Sequence, residues 1–206
     1  MAGTFPNTPA PKSIVVSTIA PTMLTVSHNL TSQRRTRNVQ RFGIEVMYPS
    51  GYDWSAFAPL WAFIVKQKGR AESFNFVLPT SVMPANGSWA GAPQVRGNNQ
   101  TGDSVNIQGL TASQTGICKA GDLIKFDGHN KIYQVTDDAD SDGSGHATIN
   151  IQPRLETSPS NNSDITIHTS SSGITFKVVF STDEFALNLD HIVKYGITLS
   201  MSEVNS

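Results

Sequence analysis

Asp138, Asp140 and Asp142, followed by Gly143, place carboxylates at alternate positions ahead of a turn-forming glycine, the spacing of the first half of a calcium loop. Calcium takes about six to eight oxygens, and such a loop closes with a bidentate carboxylate beyond its glycine. That closing position is Ile149, and the flanking runs around Val135 and Ala147 read as strands where a calcium loop would have helices. The simpler reading is the acidic tip of a hairpin. Asp138, Asp140 and Asp142 are the only metal-ligand candidates we carry forward, and no metal or other cofactor is expected.

The remaining chemistry-bearing residues do not assemble by spacing. His28, His129, His146, His168 and His191 are too far apart in sequence to make a ligand pair, and no cysteine pair accompanies them. Asp183-Glu184 and Asp190-His191 offer acid/base partners on paper but read as a solvated loop ahead of a strand. Cys118 sits beside Lys119, which could lower its pKa, yet a lone cysteine in a β-rich chain is ordinarily inert. No G-x-S-x-G, phosphate-binding glycine loop or H-E-x-x-H is present, so the chain is not expected to be an enzyme. The arginines Arg34, Arg35, Arg37 and Arg41 form a denser group. Arg35, Arg37 and Arg41 share parity, so one continuous strand would set them on one face, a candidate subunit contact.

These residues must be positioned by a β-rich scaffold. Of the 206 residues, 38% are hydrophobic and only 15% charged, with 16 Gly and 11 Pro. That is too few charges for a typical disordered chain and too many breakers for a helical bundle. The formal net charge of −1 carries no basic excess of the kind that tracks nucleic-acid phosphates, so no sequence-specific nucleic acid is expected. No signal peptide or membrane-spanning run is visible in the sequence, which reads as cytosolic at synthesis with no membrane partner.

Met1 to Lys12 is Pro- and Thr-rich and reads as an arm. Ser13 to Ile19 and Met23 to Val26 are short β-prone runs. Phe42, Ile44, Val46 and Tyr48 alternate strictly, predicting a strand that Pro49-Ser50-Gly51 closes. A helical period follows. Trp54, Phe57, Trp61 and Ile64 recur at spacings of three and four, with Leu60 and Phe63 widening the stripe. These four are the expected core anchor of a helix ending near Lys68, with an irregular first turn before Pro59. Phe74 to Leu78 is the next strand, and Ser81 to Gly102 reads as a linker or crossover. Strands are then expected near Val105 to Ile107, Ala147 to Ile151, Ile165 to His168, Ile174 to Phe180 and Tyr195 to Met201. Among them, Leu123 to Phe126 and Ile132 to Val135 flank Asp127-Gly128-His129-Asn130 as a β-hairpin.

The expected fold is therefore mainly β, in two bodies. One is a discontinuous β domain with one packed α-helix, residues 1–82 and 183–206. The other is a small OB-like Greek-key barrel inserted at 83–182.

The order of these elements resembles the distal tail proteins of tailed bacteriophages, the kind with an OB-type barrel inserted in a tube-like β domain. The residues that carry the likeness run from SQRRTRNVQRFGIEVMYP through the aromatic helix ending VKQKGR and the strand ending FVLP. The KAGDLIKFDGHNKIYQVT hairpin and the closing YGITLSMSEV strand complete the series. The resemblance implies a structural virion protein at the distal end of the tail. It would assemble with itself as a ring, commonly of six, between the tail tube protein and the baseplate hub or tail-tip proteins. The alternative is a carbohydrate- or host-surface-binding module of a tail tip or fibre. Such a barrel would bind through exposed aromatics on one face, and Trp89, Phe126, Tyr133, Phe176 and Phe180 are the few available.

Overall fold

The computed structural model describes residues 3–37, 39–190 and 194–204. It is mainly β, with one α-helix among the described residues, and separates into two compact units. The first comprises 1–18, 42–78 and 175–205; the second comprises 19–41 and 79–174.

In the first unit, β1 (Ser13–Ile19), β4 (Arg41–Tyr52), β14 (Lys194–Glu203), β12 (Thr175–Phe180) and β5 (Phe74–Val77) lie side by side in that order, with β13 (Asn188–Asp190) joining β14. The alternation expected of Phe42, Ile44, Val46 and Tyr48 holds, and all four are buried. Pro49-Ser50-Gly51 does not close that strand, however. β4 runs on to Tyr52, which pairs Tyr195 across a register shift next to Ile197. Gly196 permits it, since a Cβ there would fall 2.5 Å from the Ser50 nitrogen. The segment from Asp183 to Asp190, read from the sequence as a solvated loop ahead of a strand, contains β13.

β12 is the larger correction. The sequence boundary at 182 put this strand in the barrel, but it pairs β5 from Thr175↔Val77 to Val178↔Phe74, and β14 on its other side. Its alternating Phe176, Val178 and Phe180 would suit either sheet, and periodicity carries no information about which partner wins. The N-terminal arm is also part of this core. Thr4 bridges Asn75 alongside β5, and Phe5 is buried against Phe63, Phe74 and Phe76 with ring centroids 5.4–6.0 Å apart.

Helix α1 (Trp54–Lys66) is regular from its first turn, with Asp53 as N-cap and Pro59 accommodated inside. Its buried residues are Phe57, Leu60 and Ile64, followed by Gln67 just past the end. At about 100° per residue this line is centred roughly 80° from Trp61 and roughly 100° from Trp54. Trp61 is consequently half-buried and Trp54 is 47% exposed, lying against Tyr195 at 5.1 Å. Of the four expected anchors, Phe57 and Ile64 reach the core, while Trp54 and Trp61 flank it.

The second unit contains two sheets. One is a two-stranded hairpin of β2 (Thr22–Val26) and β3 (Ser32–Thr36). The other orders β11 (Ile165–Ile167), β8 (Leu123–Phe126), β9 (Tyr133–Val135), β10 (Ala147–Gln152), β7 (Ser104–Leu110) and β6 (Gly91–Val95). It is a nearly closed barrel. β6 and the approach to β11 meet through a bridge between Gln94 and Asp164, and the Val95 amide donates to the Ser163 carbonyl at 2.9 Å. Val105, Ile107, Ile124, Phe126, Tyr133, Val135, Ile149 and Ile151 fill its interior.

β6 was not expected, because Gly- and Pro-rich sequence reads as linker. Here Pro93 sits at an irregularity between the pairs Gly91↔Leu110 and Gln94↔Gln108, where no ladder donor is required of it. A Cβ at Gly109 would fall 2.2 Å from the Ala92 carbonyl oxygen, so glycine on the partner strand makes the close approach possible.

Candidate assembly surface

Asp138, Asp140 and Asp142 do not converge. Asp138 accepts from Lys119 Nζ at 2.7 Å and from the Ala120 amide, and Asp140 accepts from the Gly116 amide at 2.6 Å. Asp142 accepts from the Ser144 and His146 amides and lies 3.4 Å from the His146 ring. Each carboxylate pins a different part of the turn, and no group of three potential metal ligands occurs among the described residues.

The hydrogen bond from Lys119, helped by the Ala120 amide, holds the Asp138 carboxyl below its ordinary value, and the His146 and Ser144 amides do the same for Asp142. A depressed folded-state pKa stabilises above the unfolded value and loses that contribution as pH falls through the folded one. The melting temperature is therefore expected to fall as pH drops from about 5 to about 3, and an Asp138→Asn, Asp142→Asn double variant should show a shallower fall over that range. Thermal melts across a pH series decide it; parallel profiles for variant and parent would refute the assignment.

The other candidates are structural. Burial, with Asp122 beside it, pushes the Cys118 thiol up to about 12, so no thiolate is available at neutral pH. Asp183 receives the Arg70 amide at 3.0 Å and lies 3.8 Å from its guanidinium, fastening the chain beyond α1. His191, of the proposed Asp190-His191 pair, lies outside the described residues. Trp89, Phe126 and Tyr133 are in the barrel interior, while Phe176 and Phe180 belong to the first unit.

Two residues with no local sequence signal hold the entrance of the barrel. Asp122, 1% exposed, accepts from the amides of Asn86 at 2.7 Å, Gly87 at 3.2 Å and Lys119 at 2.9 Å, and from Trp89 Nε1 at 2.7 Å. A Cβ at Gly87 would fall 2.6 Å from this carboxylate, and Trp89 is held at a left-handed φ of 44°. His168, fully buried, accepts from the Ile174 amide at Nδ1, so its proton sits on Nε2 and is donated to the Val82 carbonyl at 2.7 Å. The two chain crossings at Val82 and His168 are thereby tied to one another.

The arginine group lies on a different element. β3 ends at Thr36 and β4 begins at Arg41, so Arg35, Arg37 and Arg41 are not on one strand and their shared parity does not set a common face. The physical reason is that β3 pairs β2 in a ladder of its own, with Thr22↔Thr36, Met23↔Arg35, Leu24↔Arg34, Thr25↔Gln33 and Val26↔Ser32. Strand alternation places Leu24, Val26 and Arg34 on one face, and Met23 and Arg35 on the other. All of these are exposed, as are Arg37 and Arg41; Leu24 is 60% exposed and Leu30 at the tip 84%. The hairpin is anchored at its root, where the buried Lys131 donates from Nζ to the Gln40 carbonyl at 2.7 Å.

Residues 82–169 match the family described as "Distal tail protein pb9, B domain". The barrel belongs to that distal tail protein family. The matched span begins at Val82 and ends one residue after His168, so it coincides with the segment that the histidine closes. No curated protein matches the chain. The B domain makes this chain a structural component of a bacteriophage tail, carried in the virion.

Proposed function

We propose that the chain assembles with itself into a ring of six copies that connects the tail tube to the baseplate or tail tip. The observation that carries this reading is the β2–β3 hairpin. An isolated two-stranded hairpin is at best marginally stable in water. This one exposes Met23, Leu24, Val26 and Leu30 together with Arg34 and Arg35 over both faces. Exposed apolar surface interleaved with arginine is the composition of an interface. The presence of a distal tail protein B domain supports the same reading. Neighbouring copies would be the principal partner, with the tail tube protein and the baseplate hub or tail-tip proteins above and below. The role is structural, calling on no catalysis and no cofactor. The site of action would be the distal end of the tail.

Native mass measurement of the purified protein, with electron microscopy of the particle, tests the proposal. Six copies per ring are expected; a protein that is monomeric within intact particles would overturn it.

A further inference from the structure

The hairpin segment 19–41 contains Arg34, Arg35, Arg37 and Arg41 and no Asp or Glu. Residues 79–174, which form the barrel and its approaches, carry nine Asp and Glu against five Lys and Arg. Residues 19–41 therefore carry a formal net charge of four positive, and residues 79–174 four negative. The arginines of this segment are exposed.

On the barrel the acidic charge is densest at Asp137–Asp142, where four carboxylates lie within six residues. Asp138 has a cationic partner in Lys119, and Asp142 lies beside the His146 ring. Asp137 and Asp140 are exposed; Asp137 accepts from Thr136 and Asn150, and Asp140 accepts from the Gly116 amide with Lys119 close enough to feel its charge.

We propose that the β2–β3 hairpin of one copy docks on the acidic turn of the next copy's B domain, with Arg35 and Arg37, whose amide continues the ladder to the Pro21 carbonyl, facing Asp137 and Asp140. The inference rests on the ring reading above and names the contact that would close it. Hairpin and turn are different surfaces of the same chain, so the contact is head-to-tail, the kind that propagates around a ring. The ladder of five pairs is about 17 Å long, enough to reach across a subunit boundary. The apolar residues on both hairpin faces would be covered as it inserts, while guanidinium–carboxylate pairs set its register.

Charge reversal tests this with the full chain. One variant carries Arg35→Glu and Arg37→Glu; the other carries Asp137→Lys and Asp140→Lys. Each alone sets like charge against like charge at every contact and is expected to assemble on the order of a hundredfold more weakly than the parent, as read by native mass spectrometry. Mixed in equal amounts they restore both kinds of opposite pairing, and rings of alternating copies are expected. Parent assembly should also weaken with added salt. Circular dichroism melts like the parent's would show that both variants are folded, as expected for exposed positions. If the hairpin variant forms rings as readily as the parent, or the folded mixture stays dissociated, the docking is refuted while the ring stands. If the parent itself never assembles, the ring reading falls and this contact falls with it.

Discussion

Asp122→Ala is expected to unfold the B domain entrance and to remove most of the barrel's stability. Four donors converge on this carboxylate: three backbone amides and the Trp89 indole. Each buried donor left unsatisfied costs about 1–3 kcal/mol, so the loss is on the order of 4 kcal/mol or more. A domain's entire net stability is only about 5–15 kcal/mol, which makes this a large share. Asp122→Asn keeps one acceptor oxygen but turns an NH2 toward donors, and should fall between the two. Urea melts of the three proteins, with hydrogen exchange at the Asn86 and Gly87 amides, provide the measurement. An alanine variant within about 1 kcal/mol of the parent would mean that the carboxylate does not hold the 85–90 segment in place.

The second large effect belongs to the helix of the first unit. Phe57 is fully buried, with the rings of Tyr48, Tyr52 and Tyr195 at 6.2–6.5 Å. Phe57→Ala should cost about 3–5 kcal/mol, the usual toll of deleting a buried aromatic. Trp61→Ala, at the half-buried flank of the same helix, should cost less than half as much. The contrast is informative because the hydrophobic stripe in the sequence makes Trp61 and Phe57 equal core anchors. Paired thermal melts decide it. Equal losses would mean that Trp61 anchors the helix as firmly as Phe57, and sizing of the Phe57 variant would show whether assembly depends on this unit.

Local patterns in the chain determined a good deal of this protein. Strict alternation at Phe42–Tyr48, and the Asp127–Asn130 turn between two apolar runs, are short-range signals that tertiary structure had no reason to override. Composition excluded a helical bundle, and the element order carried the likeness to distal tail proteins that the B domain match supports.

What tertiary structure decided was partnership. Whether β12 joins the barrel or the first sheet depends on β5 and β14, which are distant in sequence, and its own alternation is the same in either case. The helix stripe had the right period but the wrong centre, because the phase of burial is set by the surface a helix packs on. Pro93 in β6 was tolerable only because a bulge opposite Gly109 absorbed it. The arginines shared parity without sharing a strand. Asp122 and His168 gave no local signal, since each is defined by groups brought from 33 and 86 residues away. Periodicity reports which faces want burial. Only the packed chain decides what each face meets.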